Sequence, residues 1–174
     1  MFFFRPQSAL FQRLVLFRNS TQWNKSQGQP FHIKLGNFKV NDAHVPQAVE
    51  AVRNAMAKHA ADFTALNSLC LEKYHHSNSQ GLCPGKSFEA FLLALTDTLK
   101  MNLKSLQVDL EQVDDYRLVL AHGFHPGHAQ HLGEQIKKLN VKSDPGDYEL
   151  RLYSSDPRLR QVWPLSQYCS VCSQ

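Results

Sequence analysis

The chain has 174 residues, a formal net charge of +4, 43% hydrophobic residues and 20% charged residues. This length suits one compact domain, and the composition is that of an ordinary globular protein, which excludes a wholly disordered chain. No apolar run reaches the roughly 18 residues of a transmembrane helix. The 4 cysteines are too few for a disulfide scaffold of this length.

The positive charge is concentrated in the N-terminal quarter. Residues 1–41 carry six basic residues and no acidic one, whereas 42–174 hold 13 basic and 15 acidic residues. The main domain is therefore slightly acidic, which argues against a nucleic-acid-binding groove on it. We predict three segments: a basic N-terminal arm or targeting segment over 1–41, an α+β domain over 42–165 and a C-terminal tail over 166–174.

Three interpretations of the N-terminal segment remain open. Residues 1–23 are amphipathic, contain arginine and lack acidic residues, as mitochondrial targeting peptides do. Their polar, acid-poor composition also suits a bacterial protein secreted into a host cell. The third interpretation is a basic arm or first helix packed on the domain of a cytoplasmic protein.

The first half of the chain shows helical patterns. Apolar spacing predicts a short helix over 8–18, and the weak alternation of 31–40 predicts a strand or a pair of turns. Asp42 and Pro46 are typical of a helix start, and the apolar positions that follow predict a long helix over 46–73.

The second half changes from helical to strand-like patterns. Residues 74–85 are rich in Ser, Asn, Gly and Pro, which predicts a loop, and Ser87 is a suitable cap for the next helix. Segments 116–121 and 148–154 read as strands, with a strong turn signal over 142–147 between them. Helices followed by an antiparallel meander define an α+β fold, with N-terminal helices packed on a small antiparallel β-sheet.

Cys83 is the first candidate for a catalytic residue. It ends the predicted loop and precedes an apolar helix. The helix dipole and exposed N–H groups at such a position favour the thiolate, and the same N–H groups can stabilise an oxyanion. Cys70, in the predicted long helix, suits a buried structural role. Cys169 and Cys172 lie in the tail, where we predict inert reduced thiols.

A histidine-rich segment is the second candidate. The string HGFHPGHAQH spaces four histidines by three residues: His122, His125, His128 and His131. Pro and Gly interrupt the run and no acidic or cysteine ligand completes a zinc pattern, so we predict no metal and no cofactor. The FHPGHAQH string also resembles the histidine motif of nucleotidylyltransferases, which leaves a nucleotidyl-transfer enzyme as an alternative. Too few residues follow the string to build the Rossmann fold of that family.

The third candidate is Asp156, after the predicted strand over 148–154. If Gly-His-Ala begins a strand at His128, a hairpin from 128 to 156 brings His128 and Asp156 to one end of the sheet. A cysteine on the helix across that sheet would face the imidazole. Nucleophile, base and orienting carboxylate would then be assembled from Cys83, His128 and Asp156.

With GLCPGKSF around Cys83, GHAQHL around His128 and YELRLYSSDP ending at Asp156, the chain resembles papain-like cysteine enzymes, specifically the YopT/AvrPphB-type effector proteases. The resemblance implies a papain-like α+β fold and a Cys-His-Asp triad acting on a protein substrate, such as a host protein. It also implies a supporting amide before the cysteine, for which Asn78 and Gln80 are the candidates.

The expected function is therefore a cysteine-dependent hydrolase or transferase: a protease, amidase, deamidase or acyltransferase. His125 and His122 are alternative bases. Aligning SQGLCPGKSF on papain's own motif instead places Lys86 at the nucleophile, which would make the chain a non-catalytic homologue. The alternative to an enzyme is a non-catalytic binding or adaptor protein, in which Cys83 is buried and the histidines form a His-rich loop.

Overall fold

The computed structural model describes residues 2–4, 8–20, 31–64, 69–76, 79–139, 141–143, 147–152 and 161–164. Within them the fold is α+β, as predicted. The helices are α1 (Ala9–Asn19), α2 (Val45–Thr64), α3 (Lys86–Lys104) and α4 (Ala129–Lys138). The strands are β1 (Phe2–Phe4), β2 (His32–Ile33), β3 (Gly36–Asn37), β4 (Leu69–His76), β5 (Ser79–Pro84), β6 (Glu111–Gln112), β7 (Leu118–His122), β8 (Lys142–Ser143), β9 (Tyr148–Leu152) and β10 (Gln161–Pro164).

The described strands form three antiparallel sheets. One four-stranded sheet has the order β10-β9-β1-β2, and a second has the order β7-β5-β4-β8. The third pairs β3 with β6. Among the described strands, β2 and β7 each lie at the edge of their sheet, and the two strands contact one another.

The N-terminal segment contributes to this architecture. Strand β1 pairs with both β2 and β9. Helix α1 begins at Ser8, whose hydroxyl accepts a hydrogen bond from the backbone N–H of Phe11 at 3.0 Å. Leu10 and Leu14, one turn apart, are buried in the hydrophobic core. The predicted helix over 8–18 is confirmed.

The helix after Cys83 is also confirmed as α3. The predicted apolar positions are buried: Phe88, Phe91, Leu92, Leu95 and Leu99. The Phe88 ring packs 5.4 Å from the ring of Tyr148 in β9, which joins α3 to the first sheet. The predicted cap was wrong by two residues, because Gly85 is the N-cap and Ser87 lies exposed in the first turn.

The predicted helix over 46–73 was wrong from Leu69 onwards, and the predicted loop over 74–85 was wrong because 74–76 and 79–84 lie in strands. Helix α2 ends at Thr64, and β4 and β5 form an antiparallel hairpin whose register runs from Leu71 opposite Pro84 to His76 opposite Ser79. Strand β4 forms backbone hydrogen bonds with a strand on each side, β5 and β8. A continuation of helix α2 through these residues could not form those inter-strand hydrogen bonds. Cys70 therefore lies on a strand rather than in a helix.

The strand predicted to begin at His128 was also wrong. Pro126–His128 form a 3₁₀ turn, and α4 follows from Ala129, with Leu132 and Ile136 buried at helical spacing. The predicted strand over 148–154 is confirmed for its described residues as β9, Tyr148–Leu152, which pairs with β1 and β10. The hairpin from 128 to 156 and the continuous meander were therefore wrong.

Candidate functional site

Cys83 lies on a strand, not in a loop. It is partly exposed, stands opposite Glu72 of β4, and precedes Gly85, the N-cap of α3, by two residues. Two of the residues predicted to act with it, Asn78 and Asp156, lie outside the described residues, as do Cys169 and Cys172.

Gln80 connects β5 to the start of α4. Its side chain is 1% exposed, and Nε2 donates a hydrogen bond to the backbone oxygen of Ala129 at 2.7 Å. A Cβ built on Gly133, one turn further along α4, would lie 3.7 Å from Gln80 Oε1. Because Ala129 follows His128, α4 and His128 lie on the face of the sheet to which Gln80 points.

Cys83 points to the other face of this strand. The register between β4 and β5 stays constant from Leu71–Pro84 to His76–Ser79, whereas the pairing of β5 with β7 shifts by one residue between Gln80 and Gly81. Successive side chains of a regular strand alternate between faces. Along the register with β4, Cys83 therefore lies on the face opposite to Gln80 and Leu82. The pairing of Cys83 with His128 stays a prediction from the sequence.

His122, one of the alternative bases, is distant from Cys83 along the sheet. His122 pairs with Ser79, which stands four residues from Cys83 along β5, or about 13 Å at roughly 3.3 Å per residue. His125 is exposed and caps the 3₁₀ turn, where Nδ1 accepts from the N–H of Gly127 at 3.2 Å. The His125 and His128 rings are 6.2 Å apart. Within the described residues, no group of three His, Cys, Asp or Glu side chains could hold a metal ion.

A cleft lies where the edge strands β2 and β7 approach each other. Its volume is about 490 Å³, within the range of small-molecule sites. We call it the β2–β7 cleft, and it is lined by Arg18, His32, Lys34, Ser79, Gln112, Val113, Asp114, Asp115, Arg117, Val119 and His122.

Arg18 is the buried cation of this cleft. It lies in the last turn of α1 and is 4% exposed. Nη2 donates to the backbone oxygen of Val119 at 2.9 Å, and the guanidinium carbon lies 3.6 Å from the centre of the Phe31 ring. Burial lowers the pKa of Arg18 from 12.5 to about 10, so the group remains a cation at neutral pH. The contacts with Val119 and Phe31 orient the guanidinium.

The remaining charges of the cleft are mixed in sign. Arg117 pairs with Asp115 at 2.8 Å, and Lys34 and Asp114 also line the cleft. The three cations and two carboxylates leave one net positive charge, apart from the two histidines. The sequence did not predict this site, because Arg18 and Lys34 were assigned to a basic N-terminal arm or targeting segment and because residues 18, 34 and 114 are far apart in the chain.

A second arrangement that the sequence did not predict joins α2 to α3. His59 Nε2 lies 2.8 Å from Thr98 Oγ1, and His59 Nδ1 lies 3.1 Å from Asp62 Oδ2. Hydroxyl, imidazole and carboxylate follow the order of a hydrolase triad. Thr98 and His59 are only 5% and 8% exposed, however. The hydroxyl is buried between two helices, so this arrangement acts as an interhelical link.

Comparisons with protein-family models, with curated proteins and with solved structures each found no match. In the described parts of the chain, no helix is both long enough and apolar enough to cross a membrane.

Proposed function

We propose that this protein binds a small anionic ligand in the β2–β7 cleft. The charge of the cleft lining carries the proposal, because the three cations Arg18, Lys34 and Arg117 outnumber the two carboxylates Asp114 and Asp115. A cleft with an excess of positive charge attracts anionic ligands. A binding protein is also the alternative class that the sequence left open.

The orientation of Arg18 supports binding rather than a purely structural role. A guanidinium has five N–H donors in a planar fork, which matches the oxygens of a carboxylate or a phosphate. The backbone oxygen of Val119 accepts a hydrogen bond from Arg18 Nη2, and contact with the Phe31 ring fixes the plane of the guanidinium. A ligand anion therefore meets a guanidinium whose orientation is already set, which lowers the entropy cost of binding.

The papain-like fold and the thiol hydrolase stay predictions from the sequence. An activated thiolate needs an imidazole within hydrogen-bond reach. Cys83 lies on the face of β5 opposite to Gln80, whose side chain contacts Ala129 at the start of α4, and this favours a binding protein over this enzyme. A host-protein substrate and secretion into a host cell likewise stay predictions.

Isothermal titration calorimetry with inorganic phosphate and with glutarate tests the proposal. The wild type should bind at least one of these anions, and Lys34→Gln should weaken that binding about tenfold, as expected for a lost charge-assisted hydrogen bond of about 1.5 kcal/mol. Lys58→Gln removes the same charge from an exposed site on α2, outside the cleft lining, and should bind as the wild type does. Arg18→Gln should abolish binding, with circular dichroism checking its fold.

Failure of the wild type to bind either anion would overturn the proposal. So would equal weakening by Lys34→Gln and Lys58→Gln, because the effect would then come from net charge rather than from the cleft.

A further inference from the structure

We propose that His32 and His122 contact the anion in the β2–β7 cleft and couple its binding to proton uptake, so that the cleft binds anions more tightly at acidic than at alkaline pH. The inference rests on the proposed function and deepens it, because it names the residues that regulate the same site. Both histidines line the cleft, and each belongs to one of the two edge strands that form it.

The position of His32 follows from the alternation of side chains around β2. Three residues of this segment, at every second position, are buried in the core: Phe31, Ile33 and Leu35. Successive side chains of an extended segment point to opposite faces. His32 and Lys34, which stand between the core residues, are only partly buried and both line the cleft. They therefore share the face of this segment that borders the cleft.

The position of His122 depends on a bulge in β7. The pairing of β7 with β5 shifts by one residue within the strand, because Leu120 is an extra residue between the paired Val119 and Ala121. A bulge interrupts the alternation of side chains and re-aims those beyond it. Leu120 and Ala121 are accordingly both buried, and Val119 and His122 on either side of them both line the cleft. In a regular strand His122 would point away from the face of Val119.

An imidazole at either position can donate a hydrogen bond to an anion. The ring has two nitrogens, so a contact of one nitrogen with the protein orients the ring and leaves the second nitrogen for a ligand. Protonation turns both nitrogens into donors and adds a positive charge. Hydrogen bonds from a charged donor are roughly twice as strong as those between neutral groups. The protonated forms of His32 and His122 therefore bind an anion more strongly than the neutral forms.

The groups that face the two imidazoles come from α1, from the β2 segment and from residues before and within β7. Besides the histidines, the charged side chains of the lining are Arg18, Lys34, Asp114, Asp115 and Arg117. Strand β5 contributes the neutral Ser79 to the described lining. Imidazole is the side chain whose charge ordinarily changes between about pH 5 and pH 8. A change in anion affinity over this range therefore reports the protonation of the cleft histidines.

The coupling between proton and anion is reciprocal. If protonation of the histidines tightens anion binding, the bound anion raises their affinity for protons by the same factor. Anion binding therefore takes up protons near neutral pH. The affinity for the anion falls as the pH rises and the imidazoles become neutral.

Calorimetric titration of the full chain with inorganic sulfate at about pH 5.5 and about pH 8 tests the inference over the range in which imidazole titrates. The charge of sulfate does not change over this range. We expect sulfate to bind about tenfold more tightly at the lower pH, with about threefold from each imidazole. His32→Gln and His122→Gln should each reduce the ratio to about threefold, and the double variant should remove it. His44→Gln, an exposed control outside the cleft lining, should retain the ratio of the wild type.

Proton uptake by the wild type tests the inference without any substitution. Sulfate titration at near-neutral pH, in two buffers that differ in ionisation enthalpy, should show that protons are taken up on binding. Binding without proton uptake would overturn the inference. Circular dichroism checks the fold of the variants.

The outcomes separate this inference from the proposed function. Equal sulfate affinities at the two pH values overturn the inference and leave the anion site in place. Retention of the pH dependence in the folded double variant also overturns it, as does a lack of sulfate binding at the lower pH when phosphate or glutarate binds. If none of the three anions binds at either pH, the inference and the proposed function are both wrong.

Discussion

The side-chain amide of Gln80 in β5 donates to the backbone oxygen of Ala129, the first residue of α4, at 2.7 Å. This buried contact holds α4 on one face of the second sheet. Gln80 Oε1 is also buried and has no hydrogen-bond partner among the described residues. Gln80, which the sequence predicts as a supporting group for catalysis, joins two elements of the fold.

Gln80→Glu should be much more destabilising than Gln80→Leu. The glutamate places a buried carboxylate against the Ala129 oxygen and should cost about 3–5 kcal/mol. Leucine removes the unpartnered acceptor along with the donor, so we expect a loss of about 1 kcal/mol. Urea denaturation measures both changes, with the exposed Gln47→Glu as the control. Similar free energies of unfolding for the two Gln80 variants would contradict a stabilising role of the hydrogen bond between Gln80 and Ala129.

Thr98→Val should weaken the link between α2 and α3. The change keeps the shape of the side chain but removes the hydroxyl that lies 2.8 Å from His59 Nε2. A buried ring nitrogen without its partner costs about 1–3 kcal/mol. Thr98→Ser keeps the hydroxyl and should lose only about 0.8 kcal/mol for the deleted methyl group. Chemical denaturation compares the two, and an equal or greater loss in the serine variant would show that packing alone matters at this site.

The stability of the protein should fall at alkaline pH in a way that depends on Tyr116. Burial raises the pKa of this phenol, and the charges of Asp97 and Glu89 act in the same direction. The unfolded phenol loses its proton near its usual pKa of about 10, while the folded one retains it. The unfolded state therefore binds fewer protons, and stability is lost as the pH rises.

Tyr116→Phe removes this proton linkage. The free energy of unfolding of the wild type should fall more steeply above about pH 10 than that of the variant. Urea denaturation at a series of pH values measures both slopes, and the values near neutral pH give the cost of the lost contact with Thr96, 2.9 Å away. Parallel pH profiles would contradict the prediction.

The reactivity of Cys83 should not depend on His128, because Cys83 lies on the face of β5 opposite to Gln80, which contacts the residue after His128. We expect His128→Ala to leave the rate of alkylation by iodoacetamide unchanged, since that rate follows the thiolate fraction. The measurement needs a chain in which Cys70, Cys169 and Cys172 are replaced by serine, so that one thiol reacts. A clear fall in rate, without loss of folding, would support the Cys-His pair predicted from the sequence.

The elements predicted correctly are those whose signals are local. Helix α3 begins just after Gly85 and buries the apolar residues that the pattern indicated, and β9 follows the alternation of YELRL. The errors fall where a segment fits two structures. Residues 69–76 continue the apolar spacing of α2, yet they pair with β5 and β8. The His128 segment was assigned to a strand, although Pro126 and the buried pair Leu132 and Ile136 suit a turn and a helix.

The α+β class and several helices and strands follow from local patterns, because hydrophobic periodicity and helix-capping signals act over a few neighbouring residues. The pairing of the strands became known from the folded chain, as did the face of β5 that carries Cys83 and the face that lies against α4. The tertiary structure also brought Arg18 and Lys34 to the β2–β7 cleft together with Asp114. Strand pairing and contacts between charged side chains join segments that are distant in the chain. Local sequence patterns therefore do not predict them.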